Sequence, residues 1–237
     1  MAKNESSSQN SKYEILPDDY TQYDLSFKII VIGDSGVGKS CLTNKATKNI
    51  FEETYNATVG FEFFTFNIKI NEKIVKLQIW DTCGQELYRS LITNFYRNSS
   101  LAIIVYAVND KNSFDSIEMW LRELRTHSNP DAKVFLIGNK IDLTGERIIK
   151  TEEGVSYAKR NNLSKFLESS AKTGVNAQQI FIDAAKILYD DYLLYNGNEE
   201  DDASSTVKER STKSSFSQSA ENNKKLEKKN KTNKGCC

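Results

Sequence analysis

The sequence predicts an α/β fold, a mostly parallel six-stranded sheet with helices on both faces. Three observations predict it. Short runs rich in apolar and β-branched residues recur along the chain, and two of them are continuous, as strands buried on both faces are. Segments of helical periodicity fall between them. Their alternation is the pattern of a parallel sheet covered by crossover helices.

The elements follow in order. Residues 1–25 are polar and rich in Ser, Asn and Asp, and are expected to form a flexible N-terminal extension. Phe27 to Ile32 is the first strand and stops at a glycine-rich loop. Lys39 to Thr47 reads as the first helix. Phe61 to Ile70 and Ile74 to Asp81 read as paired strands around the turn Asn71-Glu72-Lys73. Leu101 to Val108 and Lys133 to Gly138 are the two continuous apolar runs, and Phe166 to Ser169 is a short last strand. Helices are expected over Ser113 to His127, with Ser113 as N-cap, over Thr151 to Asn161 and over Asn176 to Tyr195. Trp120 and Met119 read as core positions of the first of these. One folded domain over residues 26–195 results. Residues 196–237 are nearly free of large apolar residues and are expected to be a disordered tail.

Composition narrows the class. Hydrophobic residues make up 38%, enough for a packed core, and 32 basic residues balance 32 acidic ones, so no chain-wide field favours a nucleic acid. Cys41, Cys83, Cys236 and Cys237 have no disulfide-framework spacing, no apolar signal segment opens the chain, and no apolar run reaches the roughly 18 residues of a membrane span. The expectation is a reduced, cytosolic protein that needs an added anchor to stay on a membrane.

Gly33, Asp34, Ser35, Gly36, Val37, Gly38, Lys39 and Ser40 fit G-x-x-x-x-G-K-[ST] between a strand and a helix, the context that pattern requires. The glycines permit a turn that points backbone N–H groups inward. With the helix N-terminus, those groups hold phosphate oxygens. Lys39 is expected to reach the β- and γ-phosphates, Ser40 to ligate Mg²⁺ through its hydroxyl, and Cys41 to border the nucleotide.

That loop alone admits ATP. Asn139-Lys140-Ile141-Asp142 ends one of the continuous strands. A carboxylate there accepts from the N1–H and the 2-amino group of guanine, neither of which adenine has. Such a site rejects the wrong base by up to roughly 10⁴–10⁵. The Lys140 stem can lie across the purine, while Asn139 can bond the base and tether the phosphate loop. Ser169-Ser170-Ala171-Lys172 follows the next strand, where the Ala171 N–H can meet the guanine O6. The whole set resembles the Ras superfamily of small GTPases. The resemblance implies the Ras-like P-loop GTPase fold, with Ser170, Ala171 and Lys172 at the nucleotide.

Trp80-Asp81-Thr82-Cys83-Gly84-Gln85-Glu86 looks like that family's second switch. By resemblance, Asp81 supports Mg²⁺, the Gly84 N–H approaches the γ-phosphate and Gln85 orients the attacking water. Phe51, Tyr55 and Thr58 match the first switch. They imply packing on the guanine edge, closure over the phosphates, and a hydroxyl on Mg²⁺ with an N–H on the γ-phosphate. Cys83 stands where the family usually has alanine, placing a thiol beside the catalytic glutamine. Lys39 and Gln85 are the catalytic candidates. Without an arginine finger, intrinsic GTP hydrolysis is expected to be slow, on the order of 10⁻⁴ s⁻¹.

The loop Gly33 to Ser40, Thr58 to Phe63, Tyr96-Arg97 and the Cys236-Cys237 pair resemble the Rab branch. Val59 to Phe63, Leu87-Tyr88, Phe95 to Asn98 and Tyr106 to Asp110 depart from its usual strings, as a divergent member does. The resemblance implies a monomeric switch in vesicle trafficking. Its partners would be an exchange factor, a GTPase-activating protein, a GDP-dissociation inhibitor and effectors. Cys236 and Cys237 resemble a double prenylation signal, and two lipid chains give stable attachment to the cytoplasmic face of a membrane. Lys224, Lys225, Lys228, Lys229, Lys231 and Lys234 precede them and favour an anionic leaflet. Two readings stay open beside this one: a GTP-binding scaffold with negligible hydrolysis, and an ATP-dependent P-loop kinase.

Overall fold

In the computed structural model, which describes residues 12–53, 60–84 and 95–200, the sheet is built around β2 (Leu25–Ile32) and β5 (Leu101–Ala107). These pair in parallel, Ile29 against Leu101 through Ile32 against Ile104. Every residue of β5 is buried, as a central strand covered on both faces requires. On the other side of β2 lies β4 (Lys73–Thr82), also parallel, and beyond β5 come β6 (Lys133–Asn139) and β7 (Lys165–Glu168). β3 (Phe61–Ile70) is antiparallel to β4, the two joined by Asn71-Glu72, with Asn71 at φ 53°.

Alternating side chains divide the interior into two cores. Ile29, Val31, Ile103 and Val105 face α1 (Lys39–Lys48) and α5 (Ala177–Glu200), meeting Leu42, Ala46, Phe181 and Leu188. Ile30, Ile32, Ala102 and Ile104 face the opposite way, against Trp120, Leu121 and Leu124 of α3 (Ile117–His127) and Tyr157 of α4 (Thr151–Arg160). The period of two along β2 and β5 supplies both faces at once.

The sheet has seven strands in the order β1-β3-β4-β2-β5-β6-β7, not six. The added strand, β1 (Tyr13–Leu16), lies in the stretch expected to be flexible, and pairs antiparallel with Asn67 to Ile70 of β3. Its side chains are largely exposed, so little apolar burial marks it in the sequence. Backbone pairing to an open edge holds it. Buried Asn67 fastens the chain that follows, its amide donating to the carbonyls of Pro17 (2.8 Å), Asp18 (3.2 Å) and Tyr20 (3.4 Å).

The helix expected from Ser113 starts earlier, as α2 (Lys111–Asp115), and continues through Ser116 into α3. Asp110 caps it, accepting from the N–H groups of Asn112 (3.0 Å) and Ser113 (3.4 Å). Ser113 is buried instead, accepting from the Ala107 N–H and donating to the Asp110 carbonyl. The last helix extends to Glu200, past the expected boundary at residue 195, with the Asn196 amide donating to the Tyr192 carbonyl at 3.0 Å. Among the described residues no helix is long and apolar enough to cross a membrane.

Candidate functional site

The loops at the C-terminal ends of β2, β4, β6 and β7 converge, because parallel strands deliver their ends to one edge of the sheet. The β2 loop turns into α1 through Gly38, at φ 94°, and a Cβ there would stand 2.5 Å from the Asn139 amide nitrogen. Only glycine lets the loop and the β6 end approach so closely. Lys39 is 5% exposed. Its ammonium donates back to the carbonyls of Gly33 (2.9 Å) and Asp34 (2.8 Å), inside the loop it would share with a phosphate. Burial pushes the Lys39 pKa down, and the charges of Asp81 and Asp34 oppose this.

Ser40 donates its hydroxyl to Oδ2 of Asp81. Asp81 is fully buried at the end of β4, and its Oδ1 has no hydrogen-bond partner. Burial pushes its pKa up to about 7, against the Ser40 hydroxyl and the Lys39 charge. A buried, half-satisfied carboxylate beside a hydroxyl and a phosphate loop offers the oxygen ligands that Mg²⁺ takes, so these residues fit that ion. Among the described residues no group of three or more His, Cys, Asp or Glu gathers to hold a metal.

Gly84 leaves the same strand end and lies against the phosphate loop. A Cβ there would fall 2.4 Å from the Asp34 carbonyl carbon and the Ser35 nitrogen. Cys83 is 2% exposed, its N–H donating to the Gly60 carbonyl at 3.0 Å. The thiol that stands in place of the usual alanine is therefore shut away from solvent. Cys41 is half-buried, and burial, with help from Asp81, pushes its thiol pKa up and keeps it protonated.

Asn139 joins three loops. Its amide donates to the Val37 carbonyl at 2.9 Å, and its Oδ1 accepts from the Ser169 hydroxyl (3.2 Å) and the Ala171 N–H (3.3 Å). Lys140 follows at φ 69°, a left-handed turn that brings its stem to Gly38. Asp142 accepts from the Ser170 hydroxyl at 2.5 Å, and that hydroxyl also accepts the Thr173 N–H at 3.0 Å. The carboxylate is thus fixed in direction before any base arrives. Glu168 steadies the β7 loop through Arg147 (2.7 Å), Thr151 (3.1 Å) and the bond from Asn176 to its carbonyl (2.7 Å).

Gly33 through Cys41, Asp81, Gly84, Asn139, Lys140, Asp142, Ser170, Ala171 and Lys172 are therefore brought to one place. Phe51 is half-buried and packs on the α1/α5 core. Exposed Lys172 pairs with Glu53 at 3.2 Å, linking the segment after α1 to the β7 loop. Tyr55, Thr58, Gln85, Cys236 and Cys237 lie outside the described residues. Two further residues take part. Ser169 orients Asn139, and Trp120 of α3 donates its indole N–H to Asp34 Oδ1 at 2.7 Å. A tryptophan at a core position of an amphipathic helix carries no local sign of a partner 86 residues away.

A protein-family model described as the Ras family matches residues 28–190 of the 237, from β2 into α5 and across every loop of this site.

Proposed function

Because the chain belongs to the Ras family, we propose that it is a Rab-like GTP/GDP switch that hydrolyses GTP slowly and recruits effectors to a membrane in vesicle trafficking. The observation that carries the reading is the joining of the phosphate loop to the guanine-reading loops through one side chain, Asn139, beside an Asp142 already aimed by Ser170. Pre-set polar partners favour guanine because adenine would leave them unpaired.

Lys39 and the loop N–H groups would stabilise charge on the transferring phosphoryl, and Gln85 would position the water. Ser40 and Asp81, with Thr58, would hold Mg²⁺, which when bound neutralises phosphate charge. Loss of the γ-phosphate would release Thr58 and Gly84, and both switches with them. An aromatic cluster supports effector recruitment. Phe61 and Phe63 are about half exposed and pack on Trp80 (5.3 and 5.1 Å between centroids), and Phe95 packs on Phe61 and Trp80 (4.7 and 5.2 Å). An apolar patch flanked by Gly60 and Gly84 suits a partner that reads the nucleotide state. The lysines before Cys236 and Cys237, and the cysteines themselves, support lipid attachment at a cytoplasmic membrane face.

Single-turnover hydrolysis of GTP and of ATP with Mg²⁺, comparing wild type with Gln85→Leu, tests the reading. GTP-only turnover that falls in the variant is expected. Tight GTP binding without turnover in either form would make the protein a scaffold, and ATP turnover would overturn the reading. Mass spectrometry of the C-terminal peptide from eukaryotic cells tests the lipid, and unmodified cysteines would remove the proposed attachment.

A further inference from the structure

Asp34 is the one acidic residue within the phosphate loop, where a carboxylate is electrostatically misplaced beside a bound polyanion. Its backbone and side chain serve different partners. The carbonyl accepts from Lys39 at 2.8 Å, and the carbonyl carbon lies where a Cβ on Gly84 would strike it at 2.4 Å. The carboxylate instead accepts from the indole N–H of Trp120 at 2.7 Å, a short bond to an ionised acceptor. Trp120 is 1% exposed and is packed with Leu121 and Leu124 against the β2/β5 face, so its donor sits at a fixed point of the core. Lys39 donates to the carbonyl of Asp34 at 2.8 Å, so this carboxylate belongs to the very residue that the ammonium binds. Left free, that carboxylate would compete with a phosphate for the same lysine.

We propose that Trp120 is a positioning residue of the phosphate loop, its indole N–H seating the Asp34 carboxylate toward α3 so that the Lys39 ammonium is left to the nucleotide phosphates. This rests on the reading of the site as a GTP/GDP site. It also gives α3 a direct hold on the segment that Gly84 must touch.

The test is the release rate of fluorescent GDP from the full chain with Mg²⁺, for wild type, Trp120→Phe, Asp34→Asn and the double variant. Trp120→Phe keeps an aromatic ring in the core but removes the donor. Release is expected to rise about tenfold, equivalent to about 1.4 kcal/mol. Asp34→Asn removes the charge and keeps an acceptor. In that background Trp120→Phe should change release by less than about threefold, and the double variant should release more slowly than Trp120→Phe alone. Both Trp120→Phe proteins carry the same cavity, so the rescue isolates the carboxylate from packing. The Trp120→Phe effect should also shrink as salt is raised, since screening acts on charge and not on a cavity.

If Trp120→Phe fails to fold, Asp34→Glu with Trp120 intact displaces the carboxylate and should speed release more than Asp34→Gln, which is displaced equally but carries no charge. Trp120→Phe release equal to wild type, or a double variant as fast as Trp120→Phe, would overturn the proposal while leaving the GTP/GDP reading intact. Wild type that retains no GDP would bring down both.

Discussion

The Asn139 amide nitrogen lies 2.9 Å from the Val37 carbonyl, a bond that spans 102 residues of sequence and ties the end of β6 to the phosphate loop. On its other side the same residue accepts the Ala171 N–H at 3.3 Å. The phosphate loop and the loop after β7 are thus one mechanical unit.

Asn139→Ala should uncouple them. The Ala171 N–H and the Ser169 hydroxyl are buried, and losing their shared acceptor costs about 2 to 3 kcal/mol. GDP release is expected to accelerate by about a hundredfold, measured with a fluorescent analogue. Release within threefold of wild type would mean the loops hold their places without the tether.

Asp142→Asn should exchange base preference. The carboxylate offers only acceptors, fixed by the Ser170 hydroxyl at 2.5 Å, whereas an amide presents donors to the donors of guanine. GTP affinity should fall by about 10⁴, and xanthosine triphosphate, which carries a carbonyl in place of the 2-amino group, should gain. Competition binding of the two nucleotides checks this. An unchanged preference would remove Asp142 from the base site.

Asn67→Ala should loosen the N-terminal strand. Three carbonyls lose their donor, and the pairing of Tyr13 to Leu16 with β3 loses its fastening. A loss of about 1 to 3 kcal/mol is expected from denaturant unfolding. Faster amide exchange should be confined to β1 and the edge of β3. Exchange that rises evenly across the sheet would mean the residue acts through general packing.

Lys28 gives a pH signature. Its ammonium is half-buried beneath Trp80 and Phe95 (5.7 and 5.9 Å to the ring centroids), donating to the Arg97 carbonyl at 2.9 Å, and desolvation pushes its pKa from 10.5 down to about 8. Between about pH 8 and 10.5 the unfolded chain carries a proton here that the folded chain has released. Stability from this residue therefore rises with pH across that window, and the cost of the buried charge is fully present below it. Unfolding of wild type and Lys28→Met at pH 7 and pH 10 should show wild type gaining on the variant at the higher pH. A constant difference would mean the ammonium stays hydrated.

Much of this was legible because it is local. The central strands announce themselves through uninterrupted β-branched runs, and the phosphate loop through glycines that a tight turn requires. Asn139, Asp142 and Ala171 could be placed because each follows a recognisable strand. The N-terminal strand leaves no local signal, because backbone pairing to an edge leaves its side chains exposed and its composition polar. The helix start is ambiguous in the sequence because Ser113 and Asp110 are both good caps, and the tertiary fold decides for Asp110 by burying the serine.

By itself the sequence determined the parallel α/β architecture, the phosphate loop and the strand ends that carry Asn139, Asp142 and Ala171, since periodicity and motif spacing act over a few residues. Only the tertiary structure decided that Asn139 locks three loops together, that Asp81 keeps an unpaired buried oxygen, that the Cys83 thiol is closed to solvent, and that Trp120 holds Asp34. Those relationships join residues that meet only because parallel strands bring their C-terminal ends to one edge and helices seal the faces. No local pattern encodes them.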